Sequence, residues 1–159
     1  MTARRQDRIT GVVPDAALLA GAGTSRRRDQ DLAVHDLIED NRFALSNGAA
    51  GPYRLHLSFA QGRLLMDVRD EKDAPLLAIG LSLTPLRRSL KDYQQICTSY
   101  EDAIRSGTPS QIETVDMARR ALHNEAGHIL LERLEGKVST DHETARRLFT
   151  LVNALVWQA

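Results

Sequence analysis

Residues 53–68 read YRLHLSFAQGRLLMDV, and this stretch decides the fold because its apolar residues recur at every second position. The alternation runs from Tyr53 to Phe59, stops at the tight turn Gln61-Gly62 and resumes at Leu64. A period of two is that of a β-strand with one buried face. The stretch therefore predicts a β-hairpin with one apolar face.

The segments on either side of the hairpin complete the predicted fold. The same alternation at Leu77, Ile79 and Leu81 predicts a third strand, and hence an antiparallel meander. Helical spacing of apolar residues predicts one helix before the hairpin and three after it. These predicted helices span residues 27–43, 84–106, 108–135 and from about residue 140 onward.

The predicted fold class is α+β, with an N-terminal helix, a three-stranded antiparallel meander and a C-terminal three-helix antiparallel set. The connections between the last three helices are short, which favours antiparallel neighbours. Capping boxes are expected at Thr108 and at Thr140. The 159 residues fit one domain. We expect residues 1–26 to form a flexible N-terminal segment, with a short strand at Ile9–Val13, and residues 27–159 to form a single α+β domain.

Composition and charge exclude several classes of protein. The net charge is zero and aromatic residues make up only 4%, so a nucleic-acid binder is not expected. The longest stretch without a charge, Ala74–Leu86, has 13 residues, whereas a membrane-spanning helix needs about 20. The single cysteine, Cys97, excludes a disulfide scaffold and lies on an apolar helix face, where it is expected to be inert. Because Pro14-Asp15 interrupts the early apolar stretch, we expect a cytosolic protein and not a secreted one.

Several short words of this sequence resemble a small bacterial family of uncharacterised proteins. The words are Gly51–Ser58, Lys91–Tyr93, Met117, Arg119-Arg120, Leu122–Glu125, Arg133–Lys137 and Thr144–Leu151. The resemblance covers about residues 30–155 and implies a free-standing bacterial protein. It transfers no catalytic role, because the family has no assigned activity.

The first candidate site lies at the start of the helix that follows the meander. Arg87, Arg88 and Lys91 occupy its first two turns, where the helix dipole favours anions and not cations. Three cations beside unsatisfied N–H groups predict a site for an anion. The alternative is that Arg88 pairs with Asp92, and that the other two pair with the acidic stretch Asp67–Asp73.

The second candidate site lies on the next helix. Arg119 stands at the edge of its apolar face, with Asp116 at i−3, His123 at i+4 and Arg120 beside it. An arginine close to a core usually has a carboxylate partner, so Arg119 either orders the packing of helices or binds a ligand. The cationic form of His123 is disfavoured by the neighbouring charge of Arg119, which predicts a neutral imidazole.

Arg146-Arg147, on the last helix, completes three pairs of arginines on three neighbouring helices. If the pairs converge, a phosphate group or an acidic partner is the natural ligand, and if they scatter, they are solubilising charges. The leading hypothesis is a non-catalytic cytosolic binding or regulatory protein. Its ligand would be an anionic small molecule or an acidic protein surface, held on an arginine-lined surface.

The alternative hypothesis is a small enzyme in which His123 and Glu125 perform acid–base chemistry on an anionic substrate. No cofactor is expected. A metal site is not expected either, because His123 and His128 are five residues apart and so point in different directions from a helix. Asp31, His35 and Glu39 share a helix face, which we expect to be solvated. Trp157, which lies off the seam of the last helix, is a candidate contact in a homodimer.

Overall fold

The computed structural model describes residues 6–20 and 23–156. Within this part of the chain there are six strands and five helices. The strands are β1 (Ile9–Pro14), β2 (Phe43–Leu45), β3 (Tyr53–Ala60), β4 (Arg63–Arg69), β5 (Pro75–Ser82) and β6 (Val138–Thr140). The helices are α1 (Ala16–Leu19), α2 (Thr24–Glu39), α3 (Thr84–Ser106), α4 (Pro109–Leu134) and α5 (His142–Val156).

The main sheet has the strand order β1-β3-β4-β5. The predicted hairpin is confirmed: β3 and β4 are antiparallel, with Leu57 opposite Met66, and β5 continues the antiparallel order. The predicted three-stranded antiparallel meander is wrong as a description of the whole sheet, because β1 adds to β3 in parallel and makes the sheet mixed. A parallel pair needs a long crossover. Here residues 15–52 supply it, so no local pattern shows the pairing.

Strand β1 belongs to residues 1–26, which are expected from the sequence to form a flexible N-terminal segment. The strand predicted at Ile9–Val13 is confirmed, and Ile9 is fully buried in the core. Asn41, just after α2, holds the strand through its side-chain amide. Its Oδ1 accepts from the Ile9 N–H at 2.7 Å, and its Nδ2 donates to the Ile9 carbonyl at 3.0 Å. Residues 9–14 are therefore part of the folded sheet.

A second, two-stranded sheet pairs β2 with β6 and corrects two predicted helix boundaries. The first predicted helix ends at Glu39 and not at Phe43, because Phe43 pairs with Thr140. For the same reason Thr140 does not cap the last helix. The first turn of α5 is capped instead by Asp141, whose Oδ1 accepts from the Thr144 N–H at 2.8 Å. This pairing joins residues almost 100 positions apart, which a local pattern does not reveal.

The three C-terminal helices pack in sequence, α3 on α4 and α4 on α5, and α2 covers another side of α5. The predicted capping box at the start of α4 is confirmed. The Gln111 N–H donates to Thr108 Oγ1 at 3.2 Å, and the Thr108 N–H donates to Gln111 Oε1 at 2.9 Å. Because α5 lies between α2 and α4, its side chains reach both neighbours.

The core lies between the apolar face of the main sheet and the helices. Its largest fully buried side chains include Phe43, Tyr53, Leu57, Met66, Leu86, Leu130 and Phe149. Gly127 on α4 permits a close approach to α5, because a Cβ atom there would lie 2.6 Å from Arg146 Cγ. Among the described residues no helix is both long enough and apolar enough to cross a membrane.

Candidate functional site

His123 is the centre of a cluster in which α3, α4 and α5 meet. We call Tyr93, His123, Arg146, Phe149 and Thr150 the histidine cluster. The imidazole Nε2 lies 2.7 Å from Thr150 Oγ1 and 3.0 Å from the Arg146 carbonyl oxygen. The Nε–H of the Arg146 side chain donates to Nδ1 of the same ring at 3.4 Å. Both ring nitrogens are therefore engaged by α5.

These partners define the protonation state of His123. Nδ1 accepts a hydrogen bond, so the proton of the neutral ring is on Nε2, which donates toward Thr150 Oγ1 and the Arg146 carbonyl. Burial lowers the pKa of His123, and the charges of Arg146 and Arg119 lower it further. A neutral imidazole was predicted from the sequence. The direction of the pKa shift agrees, but burial and Arg146 contribute more than Arg119.

Aromatic contacts enclose the ring on the other side. Tyr93 stacks on His123 with ring centroids 5.4 Å apart, and its edge meets Phe149 at 5.5 Å. Burial and the nearby Cys97 thiol raise the pKa of Tyr93 to about 12. Burial also raises the pKa of Cys97, so its reactive thiolate form is disfavoured, as expected for a cysteine on an apolar face.

Arg119 and Arg120 share one carboxylate. Arg119 Nη2 lies 2.6 Å from Asp116 Oδ1, and Arg120 Nη2 contacts the other oxygen of the same group. These two hydrogen bonds lower the pKa of Asp116. The Arg119 guanidinium also lies over the ring of Tyr100, 4.7 Å from its centroid. The partner predicted for Arg119 is confirmed, and the contacts of Arg119 join α3 to α4.

The remaining predicted cations lie at the start of α3. Arg88 pairs with Asp92 at 3.7 Å and is otherwise exposed. This pair was part of the alternative in which the cations are neutralised by carboxylates of the chain. Arg87 and Lys91 have no ion pair with any residue of 6–20 or 23–156. Arg87 lies against the β3–β4 turn, where its Nη2 is 3.3 Å from the position of a Cβ atom on Gly62.

The acidic stretch Asp67–Asp73 is not the partner of Arg87 and Lys91, and that part of the alternative is wrong. Arg69 contacts Asp67 at 2.7 Å and Asp73 at 3.0 Å, and His56 contacts Asp73 at 2.9 Å. These contacts lower the pKa of Asp73, with the hydrogen bond from His56 as the largest cause. The strand pairing that places His56 opposite Asp67 brings these groups together.

Arg63 begins β4 next to Gly62, the turn residue that Arg87 lies against, and it is not among the residues predicted for a site. Its side chain crosses the face of Gly80, where its guanidinium donates to the Gly80 carbonyl at 3.2 Å. The Leu83 N–H donates to the Gly62 carbonyl and so fixes the start of α3 beside the turn next to Arg63. The register of the meander could have revealed this neighbourhood, because it pairs Arg63 with Ser82. We call Arg87, Arg88 and Lys91 the basic patch.

The three arginine pairs do not converge. Arg146 contacts Glu143 at 2.9 Å on the α4 side of α5. Arg147 points toward the end of α2, where it donates to the Asp40 carbonyl at 3.0 Å. Arg119 and Arg146, from different pairs, both lie near His123. Arg120 shares Asp116 with Arg119, whereas Arg146 pairs with Glu143 and Arg147 with Asp40.

Two groups of side chains test the metal and enzyme hypotheses. His35, Asp36 and Glu39 place ligand atoms within 4.8 Å of one another, but all three are exposed, and His35 pairs with Glu39 at 3.2 Å. His123 faces α5, while Glu125 is exposed and forms no hydrogen bond with His123 in the described part of the chain.

His128, which with His123 formed the pair for which no metal site is expected, stacks on His142, with ring centroids 4.0 Å apart. The two histidines of that pair therefore have different neighbours on α5, as their five-residue separation predicted. Trp157, the candidate dimer contact, lies outside the described residues.

The structure also contains a groove that the sequence did not indicate. It has a volume of about 460 Å³ and lies between α2 and α3, with α5 as its floor. Leu32 on its wall is 58% exposed. The groove adjoins the histidine cluster, because Tyr93 and Thr150 belong to both. Its walls are formed by helices more than 50 residues apart in sequence, and this separation hides it from local patterns.

The comparison with protein families now identifies the relatives of this chain. The uncharacterised protein family UPF0262 matches residues 6–158. The chain belongs to this family. The resemblance predicted from the sequence is therefore confirmed.

Individual relatives agree with the family match over most of their length. A UPF0262 protein of Nitrobacter hamburgensis is 45% identical over 153 residues, which are 96% of this chain and 93% of that protein. One from Erythrobacter litoralis is 49% identical over 154 residues, 94% of this chain and 96% of its own. One from Rhodospirillum rubrum is 57% identical over 127 residues, 80% of this chain and 78% of its own. No solved structure matches the chain.

Proposed function

We propose that this protein is a cytosolic, non-catalytic binding or regulatory protein. Its basic patch takes an anionic small molecule or an acidic protein surface. The observation that carries the proposal is a difference in pairing. Arg87 and Lys91 have no carboxylate partner in the described ranges, whereas the predicted arginines of α4 and α5 are engaged inside the molecule.

Electrostatics at the start of α3 support an anion as the ligand. The backbone N–H groups of the first turn carry partial positive charge, and a cation placed there costs about 0.3–1 kcal/mol. The first turn of α3 has no acidic residue. Its N–H groups are engaged, because the Thr84 N–H donates to Ser82 Oγ and the Leu86 N–H donates to the Leu83 carbonyl. An anion bound between Arg87 and Lys91 would therefore be held by these side chains and would offset their repulsion from the helix dipole.

The chemistry of the other candidate residues supports binding over catalysis. Both nitrogens of His123 are engaged by α5, and its low pKa disfavours the cation that a general acid would use. The raised pKa of Cys97 disfavours a nucleophilic thiolate. Nothing in this arrangement favours the enzyme hypothesis that used His123 and Glu125.

The proposal is tested by titrating the protein with pyrophosphate and, separately, with poly-L-glutamate, using calorimetry. The double variant Arg87→Gln/Lys91→Gln is expected to bind the anion about tenfold more weakly, because charge-assisted hydrogen bonds are lost. The matched control is Arg105→Gln/Arg133→Gln, which removes the same charge from exposed positions on α3 and α4.

The two probes separate the two kinds of ligand. Preference for pyrophosphate supports a small molecule, and preference for the polymer supports an acidic protein surface. Equal weakening of binding in the test and control variants would mean that only net charge matters, and it would overturn the basic patch as a site. Absence of binding by the wild-type protein to both probes at low salt would overturn it as well.

A further inference from the structure

The groove between α2, α3 and α5 has the size and the lining of a small-molecule site. Its volume of about 460 Å³ falls in the range of about 300–1,000 Å³ that ligand pockets occupy. Its lining is largely apolar, with polar groups from two helices: Gln94 on α3 and Asn153 on α5, whose side chains meet where Gln94 Nε2 donates to Asn153 Oδ1 at 3.1 Å. A largely apolar groove with a few polar groups is typical of a small-molecule site.

The charges around the groove are opposite in sign to those of the basic patch. Asp29 and Asp36 on α2 face Glu101 on α3 across the opening. Within residues 6–20 and 23–156 none of these three carboxylates forms an ion pair. Arg26 is the basic residue of the lining. The net charge of the lining is therefore negative, which attracts a cation.

Arg26 adds a second requirement on the ligand. Its side chain lines the groove and forms no ion pair within residues 6–20 and 23–156. A guanidinium binds a carboxylate through charge-assisted hydrogen bonds, so a ligand that brings a carboxylate would supply the missing partner. A ligand with two positive groups and one carboxylate would pair its positive groups with the three carboxylates of the lining and its carboxylate with the Arg26 guanidinium.

We propose that this groove binds a basic amino acid or a close derivative. Its amino groups face Asp29, Asp36 and Glu101, and its carboxylate faces Arg26. This inference goes beyond the proposed function, because it concerns a different surface and a ligand of opposite net charge.

The reactivity of Cys97 reports whether a ligand occupies the groove. This residue is the single cysteine of the chain, it lines the groove and it is half-buried. A ligand in the groove will shield the thiol, so L-lysine is expected to slow alkylation of Cys97 by iodoacetamide in a saturable manner. NaCl at the same ionic strength, L-glutamate and pyrophosphate are expected to leave the rate unchanged.

Substitutions in the lining test which side chain binds which charged group of the ligand. Asp29→Asn/Glu101→Gln is expected to weaken the protection by L-lysine about tenfold or more, since charge-assisted contacts are lost. The matched control Asp31→Asn/Asp102→Asn removes two exposed carboxylates of the same helices from outside the lining, and it is expected to leave protection unchanged. Arg26→Gln is expected to weaken protection by L-lysine but not by 1,5-diaminopentane, which lacks the carboxylate. Circular dichroism checks that each variant is folded.

Each alternative result has a definite meaning. If L-lysine, L-arginine and L-ornithine all fail to slow alkylation at millimolar concentration, the inference is overturned. It is also overturned if Asp31→Asn/Asp102→Asn weakens protection as much as Asp29→Asn/Glu101→Gln does, because the effect is then one of overall charge. Failure of the pyrophosphate titration would leave this result untouched, since the two experiments report on different surfaces.

Discussion

The histidine cluster and the basic patch both place arginine side chains on helices, but the contacts of those side chains differ. In the histidine cluster the Arg146 guanidinium bridges His123 and Glu143, so its charge is matched within the molecule. In the basic patch Arg87 and Lys91 project from the first turns of α3, and no described carboxylate lies within ion-pair distance. The comparison teaches that an arginine becomes internal structure where a neighbouring helix also supplies a partner, as His123 does for Arg146. A carboxylate four residues away is not enough, because Arg88 pairs with Asp92 and remains exposed.

The largest expected effect comes from breaking the histidine cluster. His123→Ala removes the ring that Tyr93 stacks on and leaves the Arg146 Nε–H and the Thr150 hydroxyl without their partner. We expect the free energy of unfolding to fall by about 2–4 kcal/mol, from the cavity and the lost hydrogen bonds together. Urea denaturation followed by circular dichroism measures this change.

The control for this substitution is His128→Ala on the same helix. His128 is exposed and contacts chiefly the ring of His142. Its removal is expected to change the free energy of unfolding by less than about 1 kcal/mol. If the two substitutions destabilise the protein equally, the histidine cluster is not the structural centre that its contacts indicate.

The same two regions show which contacts can be predicted from the sequence alone. Contacts between residues three or four apart on one helix, such as Arg119 with Asp116, were predictable because helical geometry alone sets them. The partners of His123 on α5 were not, since 23 and 27 residues separate them and only the packing of α4 on α5 brings them together. The parallel pairing of β1 and the β2–β6 sheet escaped prediction for the same reason. The position of Arg63 beside Gly80 follows from strand register, which the meander contains but helix patterns do not.

A smaller effect on stability is expected from a change of pH, and it concerns the histidine cluster alone. Because the pKa of His123 is lowered in the folded chain, the unfolded chain takes up this proton at a higher pH. The His123 contribution to stability is therefore present above its ordinary value of 6.5 and is lost as the pH falls below that value. The carboxylates of Asp73 and Asp116, whose pKa values are lowered from 3.8, act in a separate window at lower pH.

The pH effect is measured as the difference in stability between wild type and His123→Gln from pH 7.5 to 5. The comparison cancels the titration of the other histidines. We expect the wild-type protein to lose more stability than the variant over this range. An imidazole of His123 that titrates at or above 6.5 in an NMR experiment would contradict the neutral ring and the role of Arg146 beside it.

The smallest expected effect is that of the basic patch on the stability of the protein. Arg87→Gln/Lys91→Gln breaks no described ion pair and removes two cations from the positive end of α3. The free energy of unfolding should therefore stay within about 0.5 kcal/mol of wild type or rise slightly. Thermal unfolding without ligand measures this, and adding pyrophosphate should stabilise the wild type more than the variant. A clear loss of stability in the variant without ligand would mean that these cations serve the fold, and the difference between the two regions would then disappear.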